Sequence, residues 1–426
     1  MARVLKVCIG DQGIEVGKLR FDSQGNREFS SFEYSEAWLA NPRAFAISPS
    51  MPLVAGPHFS KKEGALVSPL PPALADTSPD SWGRNIIRRD TRENSNDAGP
   101  LNELDYLLAV DDFSRIGALR LKNEDGQEYL ASEPLGRHNI PPVLQLNELG
   151  KSIASLERDD EITAAALKRL RQIGSALGGA RPKCSVIDTD NSLLIAKFTS
   201  RHDSYDVERA EVLTLRLAKL CGLIVPTVRL DMSDELPVAL IPRFDRSGAG
   251  RIPYISAQTM LQVPSADGSS YTAIAEAIRI NSRNPKADLR ELFNRIGFTV
   301  LVSNVDDHLK NHGFIYAGEG KWRLSPLFDV NPAPERHREL KTSIVEGGGS
   351  EASIDLLIDN SLFFDVTEED AREWLHAMAT TISERWRDLA KDCGMSRRTI
   401  DIYHTAFQHD ETDKALKLGQ PKIAFG

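Results

Sequence analysis

Ser-Asn-Val-Asp-Asp-His-Leu-Lys-Asn-His-Gly-Phe, residues 303–314, is the stretch whose reading decides the fold. It follows Phe298–Val302, an apolar run that reads as the end of a buried helix. Apolar residues resume at Gly313–Tyr316. Two apolar anchors therefore bracket a polar loop, the usual way to hold reactive groups on a rigid frame. A hairpin turn at Ala317–Gly320 leads into Trp322–Asp329, where a lone carboxylate ends an otherwise apolar strand.

Phosphoryl transfer needs this set of groups. One carboxylate orients the attacking hydroxyl and takes its proton, while an amide and a second carboxylate hold Mg²⁺ against the phosphates. Asp306 fits the base, and Asn311 and Asp329 fit the metal ligands. Asp306 and Asn311 have the Asp-to-Asn spacing of the catalytic-loop pattern H-R-D-x-x-x-x-N. Lys310 can neutralise the transferring phosphate, and His308 is read as a prop for the loop.

Upstream residues complete a nucleotide site. Lys197 lies in Leu-Leu-Ile-Ala-Lys-Phe, a strand pattern from which a lysine can reach the α- and β-phosphates of ATP. Glu211 on the next helix can pair with it, and Glu208 competes for that role. Gly178 and Gly179, just before Lys183, can bring backbone N–H groups to phosphate oxygens.

Around these segments the chain is β-rich at first and helical at the end. Val4–Ile9 and Ile14–Phe21 flank a Gly-Asp-Gln-Gly turn and read as a hairpin, with a third strand at Arg27–Tyr34. Ser78-Pro79 opens a helix carrying Trp82, Ile86 and Ile87, and Ile116–Leu121 reads as a strand. A helical pattern runs over Leu144–Ile173, strands over Ser192–Phe198 and Val238–Phe244, and a helix over Asp206–Leu220. Long amphipathic segments cover Asp288–Val302 and Thr367–Ala390. Three parts follow: 1–140, a β-rich subdomain; 141–255, a nucleotide-binding small lobe; 256–426, a helical catalytic lobe.

With 426 residues the chain exceeds one ordinary core. Its net charge of −9 excludes nucleic-acid binding through an overall basic field. Four isolated cysteines, Cys8, Cys184, Cys221 and Cys393, fit free thiols in a reducing cytoplasm. No leader is evident in Met-Ala-Arg-Val-Leu-Lys-Val-Cys, and no apolar run is long enough for a membrane span.

Taken together the segments resemble the HipA family of kinases, the toxin half of bacterial toxin–antitoxin pairs. The resemblance spans nearly the whole chain. It rests on V-G-K-L-R-F-D (16–22), L-A-D-T-S-P-D-S-W-G-R-N-I-I-R-R (74–89), S-R-I-G-A-L-R-L (114–121), G-G-A-R-P-K (178–183), D-D-H-L-K-N (306–311) and L-S-P-L-F-D-V (324–330). It implies an α+β, protein-kinase-like two-lobed fold with an extra N-terminal β-rich subdomain and an all-α C-terminal lobe. ATP would sit between the small and helical lobes, near Val238–Asp245. The implied activity is an ATP/Mg²⁺-dependent serine/threonine kinase whose substrate is a cellular protein, with an aminoacyl-tRNA synthetase as the family's suggestion. The implied partner is a small helix-turn-helix antitoxin of the HipB kind, through which alone DNA is met. The family also autophosphorylates a serine beside the glycine segment, which ejects the segment and switches the kinase off. Ser175 is the nearest match, one residue out of the family's spacing, and Ser185 is the alternative.

Two other functions stay open on the residues alone. Asp306, Asp307, His308 and His312 could form the cluster of a metal-dependent hydrolase. The chain could also be a non-catalytic subunit of a repressor complex.

Overall fold

A computed structural model describes residues 2–25, 27–64, 67–94, 99–132, 140–248, 250–335 and 338–419. Contacts divide the chain into two compact units. The first comprises Met1–His202, Asp231–Ile255 and Gln262–Ser265, and the second comprises Asp203–Leu230, Ser256–Leu261 and Ala266–Gly426.

The first unit opens on an antiparallel sheet. Its strands are β1 (Arg3–Ile9), β2 (Ile14–Gln24), β3 (Arg27–Tyr34), β4 (Pro57–Lys61) and β5 (Leu119–Asn123), in the order β4-β3-β2-β1-β5. The hairpin and third strand expected from the N-terminal pattern are present, with Leu5, Val7, Val16, Leu19 and Phe32 buried. Alternation and cross-strand pairing put Leu5, Val7, Leu19 and Phe32 on one face, as a half-covered sheet requires, and Val16 falls where the β1–β2 register shifts. The strand expected at Ile116–Leu121 starts later, at Leu119. Gly117 is left-handed (φ +71°) and its N–H is held by Asp245, so the chain cannot extend until it has passed that point.

A second sheet follows, with β6 (Lys183–Ile187), β7 (Leu193–Phe198), β8 (Arg229–Ser233) and β9 (Leu236–Pro242) in the order β6-β7-β9-β8. One face carries Cys184, Val186, Leu194, Ala196, Val238 and Leu240 into a core shared with three helices. These are Ser81–Asn94, Leu146–Arg158 and Ala164–Gly174, which contribute Trp82, Ile86, Leu149, Ile153, Leu167 and Leu170. The single helical run expected over Leu144–Ile173 is thus two helices. Asp159 caps the first in the left-handed conformation, and the Thr163 side chain caps the second by accepting from Ala166 N. Most of the polar loop expected over Asn94–Pro100, and the end of the polar tail, lie outside the described residues.

The second unit is mostly helical. Helices Tyr271–Asn281, Pro285–Leu301 and Glu368–Asp392 surround Phe293, Ile296, Leu375 and Met378, and Trp386 stacks on Phe407 at 4.9 Å. Trp322 and Trp386 are core residues, whereas Trp374 is only half-buried and carries the Arg290 guanidinium on its face at 4.0 Å. One antiparallel hairpin, Gly313–Gly318 with Lys321–Leu324, interrupts the helices. Its second strand stops four residues before Ser325-Pro326 has led the chain to Phe328, so Asp329 lies beyond the strand rather than at its end. Proline cannot donate to a ladder, and Asp329 itself is left-handed (φ +58°). Among the described residues no helix is long and apolar enough to cross a membrane.

Candidate active site

The second unit assembles the loop chemistry. The long helix Pro285–Leu301 ends at Ser303, a left-handed residue (φ +55°) that turns the chain sharply. Its hydroxyl donates to Ala406 O (3.0 Å) and accepts from Arg338 Nε (2.9 Å), so the turn is fixed from two sides. Next, the Asn304 side-chain oxygen accepts from Asn331 N at 3.1 Å. This bond ties the loop to the segment carrying Asp329, and Asn331 Nδ2 donates to Asp329 Oδ1 at 3.3 Å.

The loop closes on itself around Asp306. Its main-chain carbonyl accepts from His308 N (3.0 Å) and from Asn311 Nδ2 (3.1 Å), and Leu309–Asn311 forms a 3₁₀ turn. Asp306 and Asn311 are therefore clasped through the backbone of one and the amide of the other. The Asp306 carboxylate is left outward and exposed. Partial desolvation raises its pKa, and the Asp329 carboxylate adds to the rise while His308 opposes it. Two carboxylates whose fields meet this way form a natural seat for a cation. Oxygen donors stand ready there, because Asn331 Oδ1 is buried beside Asp329 with no hydrogen-bond partner among the described residues.

Asp307 points the other way, and its part as a brace under the loop was not read from the sequence. Its carboxylate is buried and accepts from Tyr271 Oη (2.5 Å), faces His312 Nε2 (3.1 Å) and receives Thr299 Oγ1 at 3.4 Å. Burial alone would raise its pKa, but His312 outweighs that and holds it below the ordinary carboxylate value. Thr342 donates to the Asp307 carbonyl at 2.7 Å, and Leu309 N donates to Ala266 O at 2.9 Å. Asp307 thus fastens the loop from beneath. With Asp307 and His312 turned inward on each other, the metal cluster considered for a hydrolase is not assembled. No group of three or more His, Cys, Asp or Glu among the described residues is placed to hold a metal. Only the doubled Asp hinted at this division of labour, and Tyr271 lies too far upstream for any local pattern to connect it.

Removing the Tyr271 hydroxyl leaves Asp307 one donor short in a dry site. Tyr271→Phe is expected to lower unfolding free energy by about 1.5–3 kcal/mol, the range for a hydrogen bond to a charged group. Urea unfolding of the variant against the parent measures it; an unchanged midpoint would remove Asp307 as the loop's anchor.

The first unit holds the other set. Lys183 on β6 and Lys197 on β7 are direct cross-strand partners, so both leave the sheet on the face opposite the helices. Each is buried, at 6% and 7% exposure. Like charges held opposite each other are unfavourable unless an anion lies between them. Lys197 sits on a central strand, between β6 and β9, not on an edge. The Lys183 ammonium donates to Gly178 O at 2.6 Å. Gly178 is exposed, and Gly179 is left-handed (φ +93°), where a Cβ would come within 2.4 Å of Lys183 Nζ.

The structure therefore groups Asp306, His308, Lys310, Asn311 and Asp329 in the second unit, and Gly178, Gly179, Lys183 and Lys197 in the first. Glu211 and Glu208 are both buried on helix Val207–Leu220 of the second unit. Ser175, the C-cap of helix Ala164–Gly174, is wholly buried, and so is Ser185 on β6. Neither hydroxyl has a hydrogen-bond partner among the described residues.

Known proteins share both the sequence and the fold. Residues 175–393 match the HipA-like C-terminal domain, and residues 5–122 match the HipA N-terminal domain. A candidate kinase of Sinorhizobium fredii, Y4mE, is 27% identical over 342 residues, covering 74% of each chain. A candidate kinase of Haemophilus influenzae is 27% identical over 203 residues, covering 40% of this chain and 57% of its own. The HipA chain in a structure of the Shewanella oneidensis MR-1 HipA, HipB and operator DNA complex superposes with a TM-score of 0.68 at 16% identity. That superposition covers 97% of this chain and 96% of the other, and it shows a common kinase-like fold. With both of its characteristic domains matched in order along the sequence, the chain belongs to the HipA family.

Proposed function

We propose that the chain is an ATP/Mg²⁺-dependent serine/threonine protein kinase and the toxin of a HipBA-like module. The observation that carries the reading is the clasped pair Asp306–Asn311 with Asp329 alongside, in a chain whose relatives are described as kinases.

Asp306 presents an outward carboxylate to the substrate hydroxyl and takes its proton as the oxygen attacks the γ-phosphorus, while the bond to the β–γ bridging oxygen breaks and ADP leaves with its electron pair. Asn311 and Asp329 would hold Mg²⁺, a hard cation that favours oxygen donors and keeps few protein ligands. When bound, the ion supplies charge neutralisation on the phosphates. Lys310 adds positive charge on the transferring group, and His308 steadies Asp306. Lys197, with Lys183 and the Gly178-Gly179 amides, binds the triphosphate. The parts 1–140, 141–255 and 256–426 serve as an N-terminal subdomain, a nucleotide lobe and a catalytic lobe.

The partner is a small helix-turn-helix antitoxin that carries the DNA contacts. A net charge of −9 favours a basic partner over direct DNA binding. The Shewanella relative was solved with HipB and operator DNA, which supports the same assembly here. The chain acts in the cytoplasm, where its four free cysteines stay reduced. Autophosphorylation at Ser175, and an aminoacyl-tRNA synthetase as substrate, complete the reading. The same protein can serve as a repressor subunit without conflict.

Incubating the chain with γ-labelled ATP, Mg²⁺ and a cell extract, followed by phosphosite mapping, tests it. Label on serine or threonine of the chain or of one extract protein is the expected result. Label that stays in ATP, or leaves only as inorganic phosphate, would overturn the kinase reading.

A further inference from the structure

The glycine segment is held by a carboxylate far upstream in the chain. Asp80 Oδ2 accepts from Gly179 N at 2.9 Å, just ahead of helix Ser81–Asn94. The same helix start grips the segment twice more: Trp82 N donates to Gly179 O (3.3 Å), and Trp82 Nε1 donates to Lys183 O (2.9 Å). Close approach is possible because Gly83 faces Ser175, where a Cβ would lie 3.0 Å from the serine carbonyl oxygen. The two groups best suited to a polyphosphate, the Gly179 amide and the Lys183 ammonium, are thus both engaged by protein oxygens.

We propose that Asp80 is a positioning residue of the nucleotide site, a built-in anion that occupies the Gly179 amide until a triphosphate displaces it. The inference rests on the kinase reading above. A carboxylate and a phosphate oxygen make the same charge-assisted bond to a backbone N–H, so they compete for it. The competitor comes from residues 1–140, so the N-terminal subdomain sets how readily the glycine segment accepts nucleotide.

Asp80→Asn removes the charge but keeps a side chain able to cap the helix that begins at Ser81, since Asn and Asp are comparable caps. The variant is expected to bind ATP, and tripolyphosphate used as an adenine-free probe, about tenfold more tightly, equivalent to about 1.4 kcal/mol. In turnover the gain falls on KM for ATP and leaves kcat nearly unchanged. An unchanged or weaker affinity would overturn the proposal. A second measurement does not depend on activity: deuterium uptake of the peptide covering 177–183 should be faster in Asp80→Asn than in the parent. Equal uptake removes the latch even if the chain proves to be a kinase. Faster uptake in a chain that neither binds ATP nor transfers phosphate keeps the latch and removes the kinase reading.

Discussion

Asp306→Asn is expected to leave the chain folded and to lower phosphate transfer by about 10²–10⁴-fold, the usual contribution of a positioned general base. The geometry makes this a clean experiment. The bonds that shape the loop at this residue use its main-chain carbonyl, which receives His308 N and Asn311 Nδ2. The carboxylate is exposed, so an amide of the same size disturbs little packing. Its neighbour behaves oppositely, because Asp307 is buried on Tyr271 and His312. Asp307→Asn should lose stability first and activity only in consequence. Labelled-phosphate transfer and urea unfolding on both variants separate the roles. Wild-type turnover in Asp306→Asn, or a shared loss of stability, would show that the adjacent carboxylates had been assigned the wrong way round.

The largest effect on stability is expected at Asp245. This carboxylate is buried and accepts from Arg243 Nε (2.6 Å) and Nη2 (2.6 Å), from Arg246 Nη1 (2.7 Å) and from Gly117 N (2.7 Å). The same two arginines donate onward to the carbonyls of Phe113, Ser114 and Arg115, so the end of β9 is sewn to residues 113–117. Asp245→Asn strands two buried guanidinium groups, and removing one partner of a buried ion pair costs about 3–5 kcal/mol. The pH dependence has a definite sign. Burial would raise the Asp245 pKa, yet Arg243 and Arg246 prevail and bring it to about 2, from 3.8. A depressed pKa contributes stability that is fully present above the unfolded value and is lost as pH falls through the folded one. The parent should therefore lose this part of its stability between about pH 4 and pH 2, and the variant should lack that step. Denaturant midpoints across this range decide it; parallel pH curves would mean that the carboxylate is not what neutralises the arginines.

Much of the site was legible because its chemistry is local. Asp306, Lys310 and Asn311 lie within six residues of one another, and the spacing alone suggested base and metal ligand. The hairpins at residues 3–24 and 313–324 announced themselves through turn residues between apolar runs. What could not be read was anything whose partner is remote. Tyr271 braces Asp307 across 36 positions, and Asp80 reaches Gly179 across 99. The clasp at Asp245 spans 128 residues to Gly117. No periodicity encodes such pairs, because each side chain alone reads as an ordinary polar residue. The strand ends were misjudged for a different reason. Gly117, whose N–H is held by the distant Asp245, and Asp329 take left-handed conformations on which local propensity is silent.

The proposed autophosphorylation at Ser175 would give the molecule a kind of memory. The hydroxyl is buried at the end of its helix, with no hydrogen-bond partner among the described residues. Adding phosphate there requires the segment to have come out first, and a group of about two negative charges cannot go back into an apolar seat. A brief excursion of the chain would then be recorded chemically. It would persist until a phosphatase erased it, so the lifetime of the inactive state would be set by the cell's phosphatases and not by the speed of the protein's own motion.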